Sequence, residues 1–373
     1  MKVVTLLGTR PDIIKLSRVI AELDQRVEHV LVHTGQNYDY ELNEIFFQQL
    51  EVRKPDHFLG AAAETAAETI GAVISKSDAV LAKEKPDALL ILGDTNSSLA
   101  VIAGKRRKIP VFHMEAGNRC FDQRVPEEIN RRVVDHTSDI NLVFSEHARR
   151  YLLAEGIRPE TVIKTGSPMK EVLTHYLPKI EASTILDDLG LQPSRFVLVS
   201  AHREENVDSE RNFRDLLASL DAVARRYDMP VIVSTHPRTR KRLEALDAGP
   251  RDERIHFLKA MGFFEYVKLQ KNAFCVASDS GTITEESSIL GFPAITIRQA
   301  HERPEGMDEG TLIMSGLEPQ SVLDAIEATA AHYRGERRPF RIVPDYDVDN
   351  VSKKVLRIIL SYTGYVNRTV WHK

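Results

Sequence analysis

Carboxylates and guanidiniums crowd the stretch His113–Arg132, HMEAGNRCFDQRVPEEINRR, where eight of twenty residues are Asp, Glu or Arg. It follows an apolar run, KIPVF, that reads as a buried strand, and it precedes the helical pattern VVDHTSDI. Gly117 and Pro126 break the stretch between them. A strand-to-helix connection ordinarily needs only a few residues. Fixed charges at a strand end are the groups that move protons or hold a charged ligand, and Glu115, Arg119, Asp122, Arg124, Glu127 and Glu128 all qualify. Each also has a structural reading. Glu115 could pair with Arg119, and Glu127 and Glu128 could complement a helix dipole from its first turn.

Other strand ends carry comparable residues. VVTLLGTRPDIIK places Gly8, Thr9 and Arg10 after an apolar run, with Pro11 in a first helical turn and Lys15 one turn on. A helix N-terminus with an Arg and a Lys suits phosphate or carboxylate. ALLILGDTNSS sets Asp94 beside Gly93, where capping of TNSS competes with catalysis. SAHREENV and STHPRTR put His202 and His236 at equivalent ends of two later strands. FCVASDSGTITEESSILGFP runs from strand through Ser280, Gly281 and Thr282 directly into a helix, whose free N–H groups can cradle phosphate. Glu285 and Glu286 follow one turn inside, where a carboxylate can hold ribose hydroxyls; an unliganded capping box is the alternative. RQAHERPEG adds His301, Arg303 and Glu305 on an irregular segment.

The elements that position these residues alternate in kind. VVTLL, HVLVH, ALLIL, PVFHM and INLVF read as strands in the first half, and FVLVSA, PVIVST, RIHFL, AFCVASD and PAITI in the second. Amphipathic segments such as IIKLSRVIAELD and YELNEIFFQQL separate them. This alternation predicts parallel sheets built from βαβ units, and two such series predict two doubly wound α/β (Rossmann-like) domains facing a cleft. The expected domains are residues 1–168 and 169–349, with the terminal helix in 350–373 able to pack back on the first. Ligands of open parallel sheets bind outside the carboxyl ends of the strands, so the loops after the strands are where chemistry is sought.

Composition narrows the function classes. The net charge of -4 gives no basic surplus, so no nucleic-acid partner is expected, and KRRK at Lys105–Lys108 reads as a solvated helix end. VVTLL is too short for a signal core, and no membrane span is expected. Two distant cysteines, Cys120 and Cys275, favour a reduced, cytoplasmic chain. No CxxC, HExxH, GxGxxG or GxxxxGK[ST] occurs, so neither a metal nor a dinucleotide cofactor is expected. Together the loops point to a nucleoside diphosphate on the second domain and a charged, polar group facing the first.

The pieces GTRPDIIK, GDTNS, HMEAGNR, PEEINRR, the HRE of AHREENV, SDSGTITEE with LGFP, and ERPE stand in order from residue 8 to residue 305. In that order they resemble the non-hydrolysing UDP-N-acetylglucosamine 2-epimerase family, which has the two-domain GT-B architecture. The chain departs from typical members in reading HMEAGNRCFDQRVPEE, and HTGQNYDYEL stands where the family's allosteric segment lies. With a NRTVW tail, these segments look like the subgroup that converts UDP-2-acetamido-2,6-dideoxy-L-talose to UDP-N-acetyl-L-fucosamine, a capsule and O-antigen precursor. Carried over residue by residue, the resemblance implies catalytic roles for Asp94, Glu115, Glu127 and His202. It also implies a homodimer that takes a UDP-sugar substrate and no cofactor.

C2 of an acetamido sugar is not next to a carbonyl, so its hydrogen is not acidic enough for simple removal and return. Transient oxidation would need NAD; expulsion of UDP to a 2-acetamidoglycal needs none, and the missing dinucleotide fingerprint favours it. That route requires groups to stabilise departing UDP, for which Arg10, Lys15, His202 and Ser280–Thr282 are candidates. Arg119 and His236 join the binding set. Glu286 would hold the ribose and Arg303 the diphosphate, while Phe264 beside Phe263 has two readings, cover for uracil or core packing. A GT-B glycosyltransferase, a hydrolysing epimerase and a silent nucleotide-sugar sensor are the rival readings.

Overall fold

The computed structural model describes residues 1–36, 40–235, 237–245, 252–333 and 338–373. The chain divides into two units, Met1–His175 with Asp345–Lys373, and Tyr176–Pro344.

In the first unit seven strands form one parallel sheet: β1 (Lys2–Leu7), β2 (Glu28–His33), β3 (His57–Phe58), β4 (Ala88–Leu92), β5 (Val111–Ala116), β6 (Ile140–Val143) and β7 (Val162–Lys164). Their spatial order is β3-β2-β1-β4-β5-β6-β7. All five residues of β4 are buried, as expected for a strand covered by helices on both faces. The helix Arg10–Arg26 starts where Thr9 and Asp12 close a capping box and Pro11 presets the first turn. The terminal helix Val351–Thr369 packs against it.

The second unit repeats the plan with six parallel strands: β8 (Val197–Ser200), β9 (Val231–Thr235), β10 (Ile255–Lys259), β11 (Cys275–Ser278), β12 (Ala294–Thr296) and β13 (Ile313–Met314). The order is β10-β9-β8-β11-β12-β13. One face of this sheet is covered by the helices Glu210–Tyr227 and Pro319–Tyr333, which bury Phe213, Leu217, Leu220 and Ile326 in a common core.

Each predicted strand is present. Three more were not anticipated, β3, β7 and β13, and each has only two or three residues. Runs that short carry no alternation for a sequence reading to find. Both sheets reverse their winding once, between β1 and β4 and between β8 and β11. These are the switch points where parallel sheets open a crevice at their carboxyl ends.

Candidate active site

At the first switch point, the turn after β1 is held by its own helix. The N–H groups of Gly8 and Thr9 both donate to Asp12 Oδ2, at 2.9 and 3.0 Å. Gly8 has no room for a side chain, since a Cβ there would come within 1.9 Å of Ser97 Oγ on the turn after β4. The two turns therefore lock together. Ser97 N also donates to Gln36 Oε1 at 2.8 Å, which ties in the segment after β2.

One helical turn on, buried Lys15 places Nζ 2.7 Å from both carboxylate oxygens of Glu115. Glu115 closes β5 with φ 63°, and the pairing with β6 slips between Met114 and Ala116. The bulge re-aims its side chain toward β4, so that a Cβ on Gly93 would stand 3.7 Å from Glu115 Oε2. Next to Gly93, Asp94 Oδ2 accepts from Arg131 Nε at 2.7 Å, and its carbonyl accepts from Asn130 Nδ2 at 2.9 Å. Lys15, Glu115 and Asp94 are thus gathered at the ends of β1, β4 and β5. Arg10 lies in the first turn after β1, with its guanidinium 5.8 Å from the Phe46 ring. Glu127 opens the helix Glu127–Thr137, which also carries Arg131.

That helix supports the whole stretch from the side. Fully buried Glu128 accepts from the N–H groups of Cys120 and Phe121 and from Arg131 Nη1, at 3.1, 3.3 and 2.8 Å. Burial pushes its carboxyl up, but these donors outweigh the burial and hold it below the usual range. Buried Asp135 accepts from Gly117 N at 3.1 Å and Arg119 Nη1 at 2.7 Å, and lies 3.0 Å from His113 Nδ1. Arg119, expected at the substrate, is a correction. Its side chain is fully buried, and Nε and Nη2 both donate to Glu155. Those bonds hold the Glu155 carboxyl down at about 2. Arg119 positions the loop from behind, because its donors are already engaged by two carboxylates.

At the second switch point His202 follows β8 on a loop whose N–H groups are held by Asp279, the residue after β11. The chain then turns through Ser280–Thr282 into the helix Ile283–Leu290, with Ser280 Oγ 3.0 Å from Thr282 Oγ1. Behind this turn, buried Arg303 donates from Nε to the Gly281 carbonyl at 3.0 Å and pairs with Glu285 at 3.1 Å. A Cβ on Gly281 would stand 2.5 Å from Glu302 Oε1, so a side chain there would displace that carboxylate. Glu286 accepts from Gln270 Nε2 at 2.6 Å, which fixes its orientation. Phe264 is buried, with its ring 5.6 Å from Tyr176 and 6.0 Å from Phe263, an arrangement that fits the core-packing reading. His236 lies outside the described residues.

Sequence alone did not single out Asp12, Arg131, Asp135, Arg298 or Glu302, and it named Glu128 only as one of two first-turn acids. Glu128, Arg131 and Asp135 share one helix face at helical spacing, a signal that was available. Among the described residues no group of three or more His, Cys, Asp or Glu could hold a metal ion, and no helix is long and apolar enough to cross a membrane.

Two doubly wound parallel-sheet domains, with acids at one set of strand ends and a helix-start cradle at the other, define a nucleotide-sugar enzyme of the GT-B class. Residues 21–360 match the family model described as UDP-N-acetylglucosamine 2-epimerase. A solved UDP-N-acetylglucosamine 2-epimerase from Rickettsia bellii is similar over 100% of both chains, with 57% identity and a TM-score of 0.94. The Methanocaldococcus jannaschii UDP-GlcNAc 2-epimerase, solved with UDP-GlcNAc and UDP, matches at 32% identity and a TM-score of 0.89, over 97% of this chain and 100% of its own. A Pseudomonas aeruginosa relative named UDP-2,3-diacetamido-2,3-dideoxy-D-glucuronate 2-epimerase is 32% identical over 87% of this chain and 91% of its own. The chain belongs to the UDP-N-acetylglucosamine 2-epimerase family. It is an isomerase that epimerises a UDP-sugar at C2.

Proposed function

We propose that the chain inverts C2 of UDP-2-acetamido-2,6-dideoxy-L-talose to give UDP-N-acetyl-L-fucosamine, by expelling UDP and adding it back. The observation that carries the route is the Lys15–Glu115 pair beside Asp94, which fixes carboxylates at neighbouring strand ends. A carboxylate takes the C2 proton, the C2–H electrons become the C1–C2 double bond, and the C1–O bond breaks as UDP leaves with its pair. A proton then reaches the opposite face of C2, and the phosphate oxygen attacks C1.

In this reading Asp94, Glu115 and Glu127 handle the proton at C2 and the positive charge at C1. Arg10, His202, His236 and the Ser280–Thr282 turn receive the diphosphate, Glu286 holds the ribose, and Arg303 braces the turn. The active form is a homodimer, and the product feeds capsule or O-antigen synthesis; both rest on the family resemblance.

Support for the sugar comes from HTGQNYDYEL, NRCFDQRVPEE and the NRTVW tail, which resemble the fucosamine-forming subgroup. Phe121, on the segment joining Glu115 to Glu127, is 64% exposed with its ring edge-on to Tyr151 at 5.3 Å. An apolar ring suits the methyl at C6 of a 6-deoxy sugar better than a hydroxymethyl. A second reading, UDP-GlcNAc as substrate, is favoured by the names of the Rickettsia bellii and Methanocaldococcus jannaschii relatives. Parallel incubations with the two UDP-sugars, followed by anomeric proton NMR, decide between them. The 6-deoxy substrate is expected to turn over with at least about tenfold higher kcat/KM, within reach of one desolvated group in a pocket. Turnover of UDP-GlcNAc alone overturns the assignment.

A further inference from the structure

At the switch point of the second sheet, one carboxylate holds the loops after β8 and β11 together. Asp279 follows β11 directly, is fully buried, and donates its own N–H to the carbonyl of Ser200 at the end of β8. Its Oδ2 accepts from His202 N at 2.9 Å, Arg203 N at 2.9 Å and Asn206 Nδ2 at 3.1 Å. Its Oδ1 has no hydrogen-bond partner among the described residues and lies 3.3 Å from His202 Nδ1. The next three residues are the Ser280–Thr282 turn.

We propose that Asp279 is a positioning residue that fixes the His202 ring with its proton on Nδ1 and holds that ring in register with the Ser280–Thr282 turn. The proposal rests on the reading of His202 as a group that serves the departing UDP. A carboxylate oxygen accepts and does not donate, and a buried one left without a donor is costly. The favourable arrangement is therefore Nδ1–H directed at Oδ1. Nε2 is then the nitrogen that accepts a proton when the ring is neutral and donates when it is cationic. A loop anchor alone would explain the three donors on Oδ2. It would not explain a second buried oxygen 3.3 Å from an imidazole nitrogen and bonded to nothing else among the described residues.

The surroundings reinforce the loop from its other side. Glu302 accepts from Arg203 Nη2 at 3.3 Å and from Arg298 Nη1 at 2.6 Å, so the residue after His202 is held twice. Glu302 is also the group that would meet a side chain at Gly281. The histidine loop and the turn therefore share two carboxylate supports, and Asp279 is the one that reaches the ring.

The test starts with the wild-type protein. Ring nitrogen NMR of the histidine-labelled enzyme at alkaline pH, with His202 identified by its loss in His202→Gln, is expected to show the Nδ1–H tautomer. An Nε2–H tautomer overturns the proposal. In Asp279→Asn the amide oxygen can keep the loop donors while its NH2 faces the ring, so His202 is expected to switch to Nε2–H. kcat should then fall roughly 100- to 10,000-fold, with KM changing less than about threefold. An unchanged tautomer with unchanged kcat also overturns it. Full kcat in His202→Gln would instead remove His202 from the chemistry, and the wild-type tautomer would still decide what Asp279 does.

Discussion

Glu115 adopts φ 63°, a left-handed conformation that costs a residue with a side chain of order 1–3 kcal/mol. The bulge against β6 imposes it, and the reward is a carboxylate turned toward Lys15 and Gly93. Nearby Asp12 is buried, and burial raises its carboxyl to about 6 despite the N–H groups of Gly8 and Thr9. An acid whose folded pKa lies above its unfolded value binds more protons when folded. Its contribution to stability therefore falls as pH rises from about 4 to about 6, by up to about 3 kcal/mol. Asp12→Asn retains an oxygen for the two donors and removes this titration. Denaturant unfolding of both proteins across that range should show wild type losing stability relative to the variant as pH rises; a flat difference would mean the charged form is not penalised. His33, which burial lowers to about 4, acts in the opposite sense and is common to both proteins. Lys15, Asp94 and Glu115 stood out as candidates because Glu115 lies at the end of an apolar strand, Asp94 follows one after Gly93, and Lys15 sits in the second turn of the helix that starts after β1. The left-handed turn at Glu115 and the burial of Arg119 were not, since both depend on the pairing of β5 with β6 and on a distant Glu155.

The helix Glu127–Thr137 acts as a template for three loops. Glu128 holds the amides of Cys120 and Phe121, Arg131 reaches Asp94, and Asp135 holds Gly117, Arg119 and His113. Residues 128, 131 and 135 fall on one face at helical spacing, so a single rigid element sets the relative placement of the acids. Arg131 is central because Nε goes to Asp94 and Nη1 to Glu128, both within 2.8 Å. A lysine keeps the charge but not the fork. Arg131→Lys is therefore expected to lower the epimerisation rate at least about tenfold while the protein still unfolds cooperatively. Activity within twofold of wild type would show that Asp94 does not depend on this brace. The charge density of this stretch was plain in the sequence, but the division of labour was not: the first-turn acid that is buried and holds the loop amides is Glu128, and in the proposed function Glu127 is the one assigned to the substrate.

At the scale of the molecule, two βαβ series were readable because their central strands are continuous apolar runs bounded by Gly, Pro and polar turns. The short edge strands escaped; the two units meet in the chain inside the helix Met169–Glu181. The switch points tie this architecture to chemistry. In the first sheet they gather Lys15, Asp94 and Glu115, and in the second they join His202, Asp279 and the Ser280–Thr282 turn. In the proposed route C2 is inverted through loss and return of its proton as UDP leaves and re-adds. The direct measurement is an NMR time course of the purified protein with its UDP-sugar in D2O, with no nicotinamide added. Deuterium should appear at C2 of the epimer as it forms, and Glu115→Gln should bind UDP yet exchange roughly 100- to 10,000-fold more slowly. An epimer that forms with its original hydrogen still on C2 would contradict the account.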